Sequence, residues 1–210
     1  MDHHSPLHRD PLLHSRFRAH GERAMGTAPG RALVLILALS LVWGLGLFQS
    51  APAAAVEAEE DYSIISVANQ AIKAQQEKNL PRALELYTQV VNSRALDSGD
   101  QLLTYIFNNR GYIYLTRNDP ASAIRDFTHS INNAPDYVAF INRGNAYTML
   151  GDDQKAIADY TEALRLRPTS ARAYANRSFS WLNLGQPAKA QQDMAQAKRL
   201  DPKIDYLSIN

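Results

Sequence analysis

Small, aromatic and apolar residues recur at fixed intervals along the second half of the chain. Counting from Gly111, an aromatic lies three residues on at Tyr114, an alanine twelve on at Ala123, an aromatic sixteen on at Phe127 and a proline twenty-four on at Pro135. The same steps from Gly144 reach Tyr147, Ala156, Tyr160 and Pro168, and from Ser178 they reach Trp181, Ala190, Met194 and Pro202. This pattern predicts helical hairpins, because the small residue and the alanine let two helices approach closely while the bulky side chains fill the space between them. Turns at Asn118-Asp119-Pro120, Gly151-Asp152-Asp153 and Gly185-Gln186-Pro187 separate the helices, and Pro135, Pro168 and Pro202 end each second helix.

A unit repeated at this period predicts a stacked solenoid rather than a domain with a single core. The pattern resembles the tetratricopeptide repeat, a family of helix-turn-helix units of roughly 34 residues. With the small residue at unit position 8, units begin at Thr104, Tyr137 and Ala171, spaced by 33 and 34 residues. A weaker unit starting at Ile64 precedes them, with Ala71, Ala83 and Tyr87 at positions 8, 20 and 24. It lacks the position-11 aromatic, where Ala74 stands, and the terminal proline, where Ala95 stands; Asp97-Ser98-Gly99-Asp100 reads as an inserted loop. The resemblance implies an all-α fold, a right-handed α-solenoid of about four hairpins over 64–204, with repeats at 64–103, 104–136, 137–170 and 171–204 and a capping tail at 205–210.

Residues 32–48 form an unbroken run of seventeen largely apolar residues, read as a signal-peptide core or a transmembrane helix. Its length suits either removal at the small residues Ala51-Pro52-Ala53 or retention as an anchor. Arg31 precedes the run and Glu57, Glu59, Glu60 and Asp61 follow it. Positive-inside asymmetry then puts the repeats on the non-cytoplasmic side of a cytoplasmic or thylakoid-type membrane, periplasmic or lumenal. Residues 1–31 read as a disordered leader, with Met25 as an alternative start, and 49–63 as a cleavage region and linker. Five of the six histidines, His3, His4, His8, His14 and His20, lie in that leader at irregular spacing that aligns no metal-binding face.

The formal net charge of +1 conceals a near balance in the repeats: from Val56 onward there are 17 basic and 18 acidic residues. Such a surface lacks the basic excess that nucleic-acid binding needs. The chain has no cysteine, which removes disulfides and thiol chemistry. In the repeats only His129 remains, and no phosphate-binding loop or nucleophile motif appears, so the sequence points to no enzyme, no cofactor and no metal.

By resemblance to the family, the first helices line a concave groove that binds a protein or peptide segment. Carried over by register, the groove residues are Asn69, Tyr105, Asn109, Tyr112, Ile141, Asn142, Asn145, Met149, Arg172, Asn176 and Phe179. Position 6 is asparagine in every unit: Asn69, Asn109, Asn142 and Asn176. Carboxamides donate and accept, so this row either grips an extended peptide's main chain or bonds within the scaffold. Family members that clamp a terminal carboxylate use basic residues at positions 5 and 9, which are uncharged here, so the expected ligand is more apolar or main-chain-like.

Arginine at position 7 recurs with aspartate at position 23: Arg110 with Asp126, Arg143 with Asp159, and Arg177 with Asp193. These are expected to meet as partly buried bidentate pairs that fix hairpin geometry. The expected function is an exported or membrane-tethered adaptor, serving assembly of a membrane or envelope complex. The alternatives are a self-associating structural protein that uses its edge and convex surface, and a hydrolytic or other enzyme with an unrecognised site.

Overall fold

The computed structural model describes residues 53–93, 95–96 and 100–205, with side-chain surroundings from Ser63 onward. The leader, the apolar run at 32–48 and the tail beyond Asp205 lie outside these residues. Contacts divide the chain into Met1–Val56 and Glu57–Asn210, and the second unit holds the repeats.

The described residues form helices alone: α1 (Ala53–Gln76), α2 (Leu80–Ser93), α3 (Gln101–Thr116), α4 (Pro120–Asn133), α5 (Tyr137–Met149), α6 (Asp153–Leu166), α7 (Ala171–Asn183) and α8 (Pro187–Leu200). They pair as four antiparallel hairpins. The first helix starts well before Ile64, so the stretch read as a linker is helical from Ala53. Its alanine and glutamate content favours helix without any apolar stripe to reveal it. Helix α3 likewise starts before Thr104, because the Asp100 carboxylate accepts the Leu102 N–H at 2.7 Å and nucleates the helix there. Asp119, Asp136, Asp152 and Ser170 cap later helices in the same way.

The core repeats with the sequence. Ala83, Ala123, Ala156 and Ala190, all at position 20, are fully buried, as are Tyr87, Phe127 and Tyr160 at position 24. A Cβ added at Gly111 would lie 2.8 Å from Phe127 Cε1, and one at Gly144 2.6 Å from Tyr160 Cε1, so glycine is required where these rings lie flat against the first helix. In the last hairpin Met194 replaces the aromatic, and Ser178 fits, its hydroxyl donating to the Ala190 carbonyl at 2.8 Å.

Each interhelical turn holds one left-handed residue at position 15: Lys78 (φ 60), Asn118 (φ 58), Gly151 (φ 75) and Gly185 (φ 68). Lysine is the costly member of that series. Lys78→Gly is expected to raise stability by up to about 1 kcal/mol, read as a higher denaturant midpoint with unchanged slope.

The arginines at position 7 bind both within and between hairpins. Arg110 Nε and NH2 donate to Asp126 Oδ2 and Oδ1 at 2.7 and 2.8 Å, and Arg143 and Arg177 repeat this fork on Asp159 and Asp193. The remaining NH1 donates to a threonine of the preceding hairpin: Thr88 at 3.5 Å, Thr128 at 3.1 Å and Thr161 at 3.0 Å. A ring at position 4, Phe107, Phe140 or Tyr174, lies under each guanidinium at 5.7 Å. One side chain thus fixes hairpin geometry and stacking register together.

Candidate functional site

From the second hairpin onward, the first helices α3, α5 and α7 touch one another in succession, whereas α4, α6 and α8 pack chiefly on the flanking first helices. A stack that closes up on one side and splays on the other is concave on the closed side. The wall of first helices is therefore the inner face.

Register places position 2 on that wall: Ile65 is exposed, and Tyr105, Val138 and Arg172 are half-buried. Tyr112 and Asn145 at position 9 are half-buried beside Phe179 at 37 % exposure, and Met149 at 46 % and Leu182 at 42 % extend the apolar surface toward the ends of α5 and α7. Ile141 is not part of the wall. It is 2 % exposed and packs in a core cluster with Phe140, Ala163 and Ala173, because a position-5 side chain points into the joint between hairpins.

The asparagine row also faces inward. Asn69 is exposed, but Asn109, Asn142 and Asn176 are buried, with 1 % exposure at the last two. Asn109 Nδ2 donates to the Tyr105 carbonyl at 2.8 Å, and its Oδ1 accepts from Gln75 Nε2 at 3.1 Å; Gln75 in turn accepts from the Tyr87 hydroxyl at 2.7 Å. Asn142 Nδ2 donates to Asn108 Oδ1 at 3.4 Å, and Asn176 lies 2.6 Å from the Asn145 amide. These amides form a ladder from hairpin to hairpin rather than one presented to a peptide, since the close approach at Gly111, Gly144 and Ser178 turns position 6 into the joint. Sequence reasoning did not single out Thr88, Thr128 and Thr161, which recur at position 25, a periodic signal that could have found them.

Arg172 differs from the other buried arginines in having no carboxylate partner among the described residues. Its NH2 donates to Asn142 Oδ1 at 3.0 Å. With the Asn145 amide oriented by its bonding, Nδ2 donates to the Ile141 carbonyl at 3.1 Å and Oδ1 accepts a second Arg172 bond at 3.2 Å. That orientation requires Asn176 to turn over as well, so that its oxygen, otherwise buried without a donor, receives the 2.6 Å contact. Burial lowers the pKa of the Arg172 guanidinium, and nearby Tyr160, Tyr112 and Tyr137 partly offset this. The group remains a cation, oriented by two neutral oxygens and set in a wall of tyrosines.

His129 is exposed and stacks on Phe107 at 4.8 Å between centroids, and among the described residues no three histidines or carboxylates gather as metal ligands.

Residues 137–170, the third hairpin, match the family model for the tetratricopeptide repeat. That hairpin is a tetratricopeptide repeat, and the described chain is a stack of four similar hairpins. Solved structures share its fold. The crystal structure of MamA superposes with a TM-score of 0.61 at 17 % identity, covering 71 % of this chain and 85 % of that one. A tetratricopeptide repeat protein from Parabacteroides merdae ATCC 43184 gives 0.61 at 20 % identity, covering 70 % and 57 %. The first tetratricopeptide domain of Spaghetti (RPAP3), bound to the HSP90 peptide SRMEEVD, gives 0.50 at 23 % identity, covering 51 % and 86 %. Comparison with curated protein sequences found no match. In this stack of hairpins the inner wall supplies exposed apolar side chains and one oriented cation.

Proposed function

We propose that the protein is a scaffold whose inner wall holds a segment of a partner protein, with apolar side chains of that segment on Tyr105, Tyr112, Met149 and Phe179 and an anionic group on Arg172. The observation that carries this reading is Arg172 itself. Removing a guanidinium from bulk water without a carboxylate is costly unless a ligand supplies the missing charge. A solved structure of similar fold carries a bound peptide, which supports peptide binding as a use of this fold. A partner's main chain gains nothing from the asparagine row, whose bonds are already taken up inside the scaffold.

We place the repeats on the non-cytoplasmic side of a membrane, as an adaptor for a membrane or envelope complex. This rests on the charge asymmetry around residues 32–48. Among the described residues no helix is long and apolar enough to cross a membrane. Amino-terminal sequencing of the mature protein together with a fusion of the repeats to an alkaline phosphatase, which is active only outside the cytoplasm, tests that placement; a full-length chain whose fusion is inactive would refute it.

For the wall, the full chain captures its partner from a detergent-solubilised membrane fraction, compared with Arg172→Gln, Phe179→Ala and the outer-surface control Arg125→Ala. Arg172→Gln is expected to weaken capture at least about tenfold, the loss of one charge-assisted contact of roughly 1.5–3 kcal/mol. The Arg125 control should leave capture unchanged. Equal capture by all four proteins would refute the reading.

A further inference from the structure

At positions 2, 5, 6, 9, 12 and 13, which the first helices turn toward the inner wall and its joints, the four units carry a single charged residue, Arg172. Its NH2 is already committed, one hydrogen to Asn142 Oδ1 at 3.0 Å and the other to Asn145 Oδ1 at 3.2 Å. Its Nε and NH1 donate to no acceptor among the described residues. Arginine offers a carboxylate two planar forks, Nε with NH2, as Arg143 uses on Asp159, or NH1 with NH2. Both forks need NH2, so a ligand oxygen here meets one guanidinium nitrogen.

The second oxygen of a carboxylate has a donor close by. Asn142, which holds Arg172, also donates to Asn108 Oδ1 at 3.4 Å, so a single amide separates the guanidinium from α3. Tyr112 lies one helical turn beyond Asn108, on the same face of that helix. It is half-buried, and its hydroxyl makes no hydrogen bond among the described residues. The hydroxyls of the other two tyrosines around Arg172 are engaged, Tyr160 by Asn145 at 2.9 Å and Thr148 at 3.1 Å, and Tyr137 by Arg167. Tyr112 is thus the tyrosine whose hydroxyl is left for a ligand.

We infer that the wall recognises the carboxylate of an aspartate or glutamate inside an extended partner segment, with one oxygen on the Arg172 guanidinium and the other on the Tyr112 hydroxyl, and with an apolar side chain about three residues away on either side. This rests on the reading that the wall holds a partner segment, and it specifies which kind of segment. Charge and donor number decide the class. One guanidinium balances one carboxylate, and two donors meet its two oxygens, whereas a phosphate brings up to two charges and three acceptor oxygens. The surroundings make the acid internal. Tyr105 stands on α3, to one side of the Arg172 contacts on α5, and the exposed Phe179 stands on α7, to the other. A chain that covers both continues past its acid in each direction. Packed helices lie about 8–10 Å apart and an extended chain advances about 3.3 Å per residue, which sets the spacing.

Peptide selection on the full chain in detergent tests it. Random peptides are displayed in two formats, one joined to linkers at both ends and one with a free carboxyl end. Enrichment is expected in the first format, of peptides with one central acid and an apolar residue three positions to each side. The best peptide, capped at both ends, is then measured by fluorescence anisotropy. Changing its acid to the amide should weaken binding at least about tenfold, and Tyr112→Phe about two- to tenfold. Phosphoserine in place of the acid should also bind more weakly, and the outer-surface variant Arg125→Ala should bind as the parent does. The acid-to-amide change leaves the protein untouched, so it decides even where Arg172→Gln disturbs packing. Enrichment confined to free carboxyl ends, tighter binding of phosphoserine, or binding indifferent to the acid or to Tyr112→Phe would overturn the inference and leave a peptide-binding wall standing. No enrichment in either format, or peptides that bind Phe179→Ala and Arg172→Gln as tightly as the parent, would overturn the proposed function with it.

Discussion

Asp159→Ala lowers the stability of the repeats by about 3 kcal/mol or more, measured by urea unfolding. Asp159 is 5 % exposed and receives Nε and NH2 of Arg143 at 2.8 Å each. Removing the carboxylate leaves a guanidinium between Phe140 and Thr128 with its charge unanswered. Replacing both partners by apolar residues, as in Arg143→Met with Asp159→Leu, is expected to cost far less, since no charge is then stranded. The exposed pair Arg165–Glu162, at 2.8 Å, is the control: Glu162→Ala should change stability by less than about 1 kcal/mol. Equal effects at Asp159 and Glu162 would place the recurring pairs among ordinary surface bridges.

Phe127→Ala is expected to cost about 3–5 kcal/mol, because the ring is fully buried between α3 and α4 and its loss opens a cavity beside Gly111. The informative measurement is its coupling to Gly111. In the parent chain Gly111→Ala drives a methyl to 2.8 Å from the ring and destabilises by about 1–3 kcal/mol, despite alanine's better helix propensity. With the ring gone the same change should reverse sign and stabilise by up to about 1 kcal/mol. Additive effects would show that the ring and the glycine do not constrain one another.

The hairpins were legible in the sequence because close packing admits few solutions. A ring at Phe127 or Tyr160 demands a missing Cβ at Gly111 or Gly144, and an alanine such as Ala156 lies fully buried where helices pack. The arginine and aspartate sixteen residues apart were equally readable, since both vanish together at Gln70 and Leu86. The direction of the asparagine row was not. A carboxamide serves a peptide or a neighbouring hairpin with the same atoms, and only the depth of position 6 decides; at Asn142 and Asn176 that depth is nearly complete. Ile141 was misplaced for the same reason, because position 5 lies at the boundary between wall and joint, and local packing sets its side. The helical start at Ala53 was hidden by composition, alanines and glutamates lacking the apolar stripe that marks a packed helix.

The amide bonds between hairpins span 30 to 34 positions, and the threonine bonds 15 to 22. Among the described residues, these hydrogen bonds that join hairpins are thus made within about one unit of chain. Such low contact order favours fast folding, and it lets the molecule assemble in the order in which it is synthesised or threaded through a pore. A hairpin that has emerged can set its own helices and wait with one joint open, and the next hairpin completes that joint on arrival.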